Sequence, residues 1–359
     1  MPELRLQVEV VGCPTVCRHC WAQGGAYPAM PVAEIALALE RVHRYCDERG
    51  LGFGAYPMHE VAAHPRAVEV LELFAGHVGA AEFEPLATTG VPLATRPDWA
   101  EVLAAAARLG TSTVWVAFHG VGVEHDRQVN RSGAWAETCL AVERTHAAGL
   151  RAGANVFVTR ANAPDAGRLL DALERLALDG MAWEPAEFYP TPRGRRYERL
   201  RPEPADLLPV ADRILRRSLF HRHAWADLEG HTEAAWAARA LAGDWPPPPP
   251  GLAQAGEVLE LVCRPNLELH AGVAGRHGER LGNLGADDPR GVLDRALGLG
   301  WRSREAPWSG PGAPPPVADL AADLAAGHGD GAGRGVHFSG DSVRRLWLDR
   351  ARAGRAVAG

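Results

Sequence analysis

Residues 4–11 alternate apolar and polar side chains with the two-residue period of a strand. Residues 31–49 change to helical spacing, with Ile35, Leu37, Leu39 and Val42 on one face and Gly50 as the stop. The alternation then repeats. Strands are predicted near 51–55, 81–88, 113–118, 151–159 and 181–189, and helices over 65–76, 99–109, 133–148, 165–177 and 205–217. Gly110 and Gly149 close two of those helices.

Six β-α units in a row predict an α/β fold with a parallel sheet, right-handed crossovers and helices outside. Six units fall short of the eight that close a barrel, so the expected architecture is a partial (β/α)6 TIM-like barrel over residues 1–217. Chemistry in such folds sits at the C-terminal ends of the strands. Residues 218–251 are then a His-rich helical stretch running into five prolines, Pro246 to Pro250, which predict a stiff linker. A small α+β extension is expected over 252–302, with a hairpin near 258–262 and 267–270 and a short helix near 290–299. Residues 303–359 form a Gly/Pro/Ala-rich tail with one helix expected around 341–352.

Composition narrows the function. The chain has 359 residues, 47% of them hydrophobic and 23% charged, which is ordinary for a globular protein. Its formal charge is −6 with no long basic run, so nucleic acid is not an expected partner. All 38 basic residues are arginine, and the absence of lysine excludes a Schiff-base lysine or a P-loop. No apolar run is long enough to span a membrane and no signal peptide opens the chain, so a protein of the reducing cytoplasm is expected.

Three of the six cysteines fall within eight residues, just after the first predicted strand: Cys13, Cys17 and Cys20, spaced CxxxCxxC. Three thiolates on one tight loop can hold three irons of a [4Fe–4S] cube and leave the fourth iron open. A zinc site would need a fourth ligand, with His19 or His43 as local candidates. A chance triplet of buried cysteines is the remaining reading, and the position after a strand disfavours both alternatives.

This loop resembles that of the radical S-adenosylmethionine (radical SAM) superfamily, over about residues 4–196. Thr88-Thr89-Gly90 is similar to the family's "TNG" after the third strand. Phe118-His119-Gly120, His125-Asp126-Arg127 and Asn130-Arg131-Ser132-Gly133 resemble its "SLDG…HD…R…G" stretch. Asn155, Thr159 and Asn162 match the end of its fifth strand, and Phe188 to Arg195 resemble the "P…P.GRA" segment after the sixth.

The resemblance implies a [4Fe–4S] cluster on Cys13, Cys17 and Cys20 that binds S-adenosylmethionine and, reduced by a flavodoxin- or ferredoxin-type donor, cleaves it to a 5′-deoxyadenosyl radical. It also implies cofactor contacts from Gly54, Ala55 and Tyr56, read as the counterpart of the family's "GGEP" loop without its carboxylate. Glu60 is the residue that could reach back. His19 or Trp21 takes the place of the usual aromatic against adenine, and Arg131 is expected to grip the methionine carboxylate. Thr88, Asn155, Thr159 and Tyr189 complete the implied set.

Cys263 to His270, then Leu281-Gly282-Asn283-Leu284, resemble a degenerate auxiliary-cluster (SPASM or twitch) extension. With Cys263 as its single cysteine, the extension is expected to be scaffold and lid, without a second cluster. Cys263 itself has three readings: a packed thiol, a hydrogen-atom donor to a substrate radical, or a ligand of an auxiliary metal with His270 or His277. His221, His223 and His231 are read as a solvated or partly buried surface group, because HxH on a helix points its rings apart. Trp183 and Tyr189 lie near the end of the sixth strand. Of Glu184 and Glu187 there, one facing inward would bind a polar substrate.

The expected substrate is a small polar metabolite (a sugar, aminocyclitol or nucleoside) undergoing epimerisation, dehydration or heteroatom exchange. The first alternative is a ribosomal peptide presented by a separate leader-binding partner, since no leader-recognition domain fits before Cys13. The non-enzyme alternative is a structural Fe–S or zinc protein.

Overall fold

The computed structural model describes residues 2–20, 25, 27–78, 86–185, 192–245, 258–273, 276–298, 317–327, 333–338, 343 and 346–351. The strands are β1 (Glu3–Val11), β2 (Gly52–His59), β3 (Leu86–Thr88), β4 (Thr113–Phe118), β5 (Arg151–Val158), β6 (Gly180–Pro185), β7 (Val258–Cys263), β8 (Glu268–Val273) and β9 (Arg276–Asn283). The six expected helices lie at Val32–Arg49, Ala67–Val78, Trp99–Arg108, Ala134–Ala147, Ala166–Arg175 and Pro204–Arg217. Each has an apolar stripe at helical spacing; Ile35, Leu39, Val42 and Cys46, for example, are all 0% exposed. Gly50 ends the first helix at φ 63, the left-handed conformation that a residue without Cβ adopts freely.

The strands form two sheets rather than one, ordered β2-β1-β7-β8-β9 and β3-β4-β5-β6. β1 to β6 are parallel to their neighbours within each sheet. Among the described residues no ladder joins β2 to β3. The expected hairpin is present as β7 and β8, antiparallel from Leu261↔Ala271 to Cys263↔Leu269. It is joined to the first sheet, because β7 runs parallel to β1 from Glu3↔Val258 to Val8↔Cys263. β1 is therefore an interior strand between β2 and β7, and its Leu4, Leu6, Val8 and Val10 are fully buried. The apolar faces of both sheets share one core.

Described parts of the Gly/Pro/Ala-rich tail are tied down by hydrogen bonds. His337 N donates to His231 O, Val336 N to Pro202 O, and Trp236 Nε1 to His337 O. Arg350 bonds the buried Glu233 carboxylate at 2.5 Å and lies 3.7 Å from Glu198. Glu198, Glu233 and His337 place ligand atoms within 4.8 Å of one another. The guanidinium beside the carboxylates makes this group an ion-pair junction rather than a cation site.

Candidate active site

The cysteine loop leaves β1 at Val11 and is held across the ends of neighbouring elements. Cys13 N donates to Gly25 O, Val16 N to Val129 O and Arg18 N to Gln128 O, each at 3.0 Å. The last two bonds pin the loop to the helix at Val123–Val129, which follows β4. The Thr15 hydroxyl lies 3.1 Å from Cys13 Sγ and 3.5 Å from Cys17 Sγ, so two of the sulfurs converge on one side chain. Burial pushes the Cys13 thiol up to about 11 and the Cys17 thiol up to about 12. Thiols so desolvated are poor free nucleophiles. A soft cation that binds thiolate would drive off their protons. This donor set, three cysteines on one strapped loop, fits the implied cluster.

His19 turns inward. Its ring centroid lies 4.6 Å from that of His119, 5.3 Å from Phe157 and 6.0 Å from Tyr197. Burial lowers its pKa to about 4, so it is a neutral ring in an aromatic wall. The wall stands at the C-terminal ends of β4 and β5, where the strand topology predicts chemistry.

Glu60 stands at the end of β2, where the sequence reading placed the loop of residues 54–56. β2 continues to His59, so Gly54, Ala55 and Tyr56 lie inside the strand, in register with Arg5, Leu6 and Gln7, and not in the loop beyond it. Pro57 permits this because β2 is an edge strand, where a missing N–H costs no ladder bond. The segment at the strand's end is Met58-His59-Glu60, and it carries a carboxylate. Glu60 is 2% exposed; its Oε2 accepts from Thr89 N at 2.6 Å and Thr89 Oγ1 at 2.8 Å. Its Oε1 is buried without a partner, and burial raises the pKa. A cation delivered to Oε1 would both satisfy that atom and favour the charged carboxylate. The Glu60 carboxylate also contributes to raising the Cys13 pKa.

A hydrogen-bonded chain runs from this carboxylate back to the aromatic wall. Thr138 Oγ1 donates to Thr89 O at 3.1 Å and contacts His125 Nε2 at 3.4 Å, and His125 Nδ1 accepts from His119 N at 3.2 Å. That last bond fixes the His125 tautomer with its proton on Nε2. The "HD" of the sequence is thus a bracket: Asp126 accepts from Gly133 N and Trp135 N and orders the start of the helix at Ala134–Ala147.

Other predicted residues fall as follows. Thr88 Oγ1 accepts from Gly90 N, shaping the turn after β3. Asn155 lies on the half-buried face of β5, two residues before Phe157. Thr159 is fully buried and donates through N and Oγ1 to Asn162 Oδ1, while Asn162 Nδ2 donates to His119 O and Phe157 O. These two residues brace the wall. Arg131 does not present an empty fork, because Glu137 holds it bidentately at 2.7 and 2.8 Å. Trp21, Tyr189 and Glu187 lie outside the described residues.

Cys263 is 0% exposed and in register with Val8, on the face that carries Leu4, Leu6 and Leu261. Its neighbour Val262 pairs with His270, which puts His270 on the opposite face. The geometry supports the packed thiol over the donor or the shared ligand. His221 is partly buried, and its Nε2 lies 2.9 Å from Glu184 Oε2. The two are far apart in sequence, and only the fold joins them.

No protein-family profile and no curated protein matches the sequence. Solved structures do. Native anSMEcpe with bound AdoMet and Cp18Cys peptide is 12% identical with a TM-score of 0.51, over 99% of both chains. The same protein with Kp18Cys peptide is 12% identical with a TM-score of 0.50, again over 99% of both. Coproporphyrinogen III oxidase (HemN) from Escherichia coli, a radical SAM enzyme, is 16% identical with a TM-score of 0.42, over 64% of this chain and 59% of that one. At such identities likeness shows the fold alone, and this chain shares the fold of the AdoMet-bound anSMEcpe structures.

Proposed function

We propose that the chain is a radical SAM enzyme acting on a small polar metabolite, with the two sheets forming the halves of a partial barrel. The observation that carries the reading is that three elements lie at the C-terminal ends of the parallel strands: the CxxxCxxC loop after β1, the His19–His119–Phe157 wall at β4 and β5, and the buried Glu60 with an unsatisfied oxygen after β2. Cys13, Cys17 and Cys20 would hold the cluster. When bound, the cluster with S-adenosylmethionine supplies hydrogen-atom abstraction from an unactivated carbon. Glu60 Oε1 would receive the cofactor's ammonium group, Thr89 orients that carboxylate from the other side, and the histidine wall would exclude water. The neutral state of His19 and His125, both lowered to about 4 by burial, keeps that wall apolar toward an organic cofactor. Arg131, engaged by Glu137, positions the turn that carries the Val123–Val129 helix rather than gripping a ligand alone.

Among the described residues no helix is long and apolar enough to cross a membrane. The thiol chemistry suits the reducing cytoplasm and a flavodoxin- or ferredoxin-type electron donor. A peptide substrate is the second reading, favoured by the peptide-bound state of the anSMEcpe structures that share the fold. The test is anaerobic iron and sulfide counting together with an assay for 5′-deoxyadenosine after addition of S-adenosylmethionine and dithionite. About four irons per chain with deoxyadenosine formed supports the reading. Cluster-loaded protein that forms no deoxyadenosine refutes it.

A further inference from the structure

We propose that Glu184 and His221 form the substrate-recognition dyad, and that it selects a small hydroxylated amine in its cationic form. The inference rests on the small-metabolite reading above. Glu184 is in register with Phe157 on the neighbouring strand, and the Phe157 ring packs against His19 of the cysteine loop, centroids 5.3 Å apart and planes tilted by 35°. Adjacent strands lie about 4.8 Å apart, so the carboxylate stands one strand over from the wall that faces the loop. Asn155, two residues earlier on the face shared with Phe157, adds an amide on the same side.

The pair is built, not incidental. Leu219 N donates to Met181 O at 2.8 Å and Met181 forms a parallel bridge with Ser218, so the segment after the Pro204–Arg217 helix runs along the edge of β6. Ser218 Oγ donates to Phe220 O, and Trp225 Nε1 donates to Trp183 O, which locks the turn on both sides of His221. His221 itself is held at φ 55, a left-handed conformation uncommon for a residue with a Cβ. That turn brings Nε2 to 2.9 Å from Glu184 Oε2 while the ring packs 5.5 Å from Phe338.

Exposure separates this pair from one buried carboxylate–imidazole pair of the fold. Glu9 and His59 lie 3.5 Å apart at 7% and 5% side-chain exposure and are sealed in. Glu184 and His221 keep 29% and 32% and remain open to a ligand. With its Nε2 proton shared toward Glu184, the imidazole offers Nδ1 as an acceptor, beside the negative carboxylate. An ammonium on the carboxylate and a neighbouring hydroxyl on Nδ1 satisfy both, so a vicinal amino alcohol is the matching chemistry.

The test uses the full-length, cluster-loaded protein and two probes by isothermal titration: 2-deoxystreptamine, and scyllo-inositol, a polyhydroxy ring without amines. The aminated ring should bind at least about tenfold more tightly, as one charge-assisted contact would give. Glu184→Gln should erase that preference and His221→Phe should weaken both probes. If Gln at 184 fails to fold, Glu184→Asp, judged by its thermal melt, should retain a reduced preference. Equal binding of the two rings, binding of neither, or an unchanged preference in Glu184→Gln overturns the proposal. Deoxyadenosine formation is measured separately on the wild type. If deoxyadenosine forms while the aminated ring fails to bind, the dyad proposal falls and the radical reading stands. The reverse result removes the radical reading and leaves the dyad as a binding site.

Discussion

Glu60→Gln separates binding from stability. In the folded protein the carboxyl is buried, bonded on one side to Thr89 and unsatisfied on the other, and burial raises its pKa. A carboxylate whose folded pKa is raised costs stability once pH exceeds its unfolded pKa, because the folded state then holds more protons than the unfolded one. Glutamine keeps an acceptor for Thr89 and removes that cost, so the variant should melt no lower than wild type at pH 7 to 8. Binding should move the other way. A hydrogen bond to a charged group is worth about 1.5–3 kcal/mol, so losing the ammonium contact should weaken S-adenosylmethionine roughly 10- to 100-fold. Calorimetric titration of the cluster-loaded variant, with a thermal melt on the same sample, reads both quantities. Unchanged affinity would show that Glu60 does not meet the cofactor, and a melt lowered in step with affinity would show a structural role instead.

Replacing Cys13, Cys17 and Cys20 together with Ala should abolish bound iron; stoichiometric iron in the triple variant would reveal a second cluster. Cys263→Ala should lower the melting temperature, as loss of a buried thiol does, and leave iron content and deoxyadenosine formation intact. Loss of product with deoxyadenosine retained would instead restore its role as hydrogen donor. His125, lowered to about 4, binds its proton more weakly folded than unfolded, so the stability it contributes is complete above pH 6.5 and declines as pH falls toward 4. The contribution of His125 to the slope is about 1.4 kcal/mol per pH unit; urea titrations at pH 7 and 5 should show that His125→Gln lessens the slope by about that amount, the rest coming from the other buried histidines. Gly90→Ala should cost about 1–3 kcal/mol, since Gly90 has φ 85 and an added Cβ would lie 2.9 Å from Thr138 Cα.

The helices and most strands were legible because each buries one face, and burial writes itself into apolar spacing. β4 and the Trp99 helix begin where the pattern places them. The end of β2 was not legible: Gly54 and Pro57 carry the signature of a turn, and only the ladder with β1 shows that the strand runs through them. That shift of a few residues hid Glu60 as the strand-end carboxylate. The Glu184–His221 pair was invisible for another reason. Periodicity reports which face a residue occupies on its own element, while the partner comes from a segment whose path along β6 is set by tertiary hydrogen bonds. The cysteine triplet was legible because its chemistry needs three donors close in sequence.

The pairing of β1 with β7 has a bearing on how the protein is made. The strand that launches the cysteine loop leaves the ribosome about 250 residues before its neighbour β7, since Val8 pairs with Cys263. At 5–20 residues per second, the nascent chain would carry an unfinished first sheet for about 15 to 50 s. During that interval the three thiols are displayed on a strand with one edge open, so oxidation and mispairing compete with assembly. Iron delivery would be favoured once β7 has emerged and paired with β1, which makes a distant segment of the chain the timing element for the site.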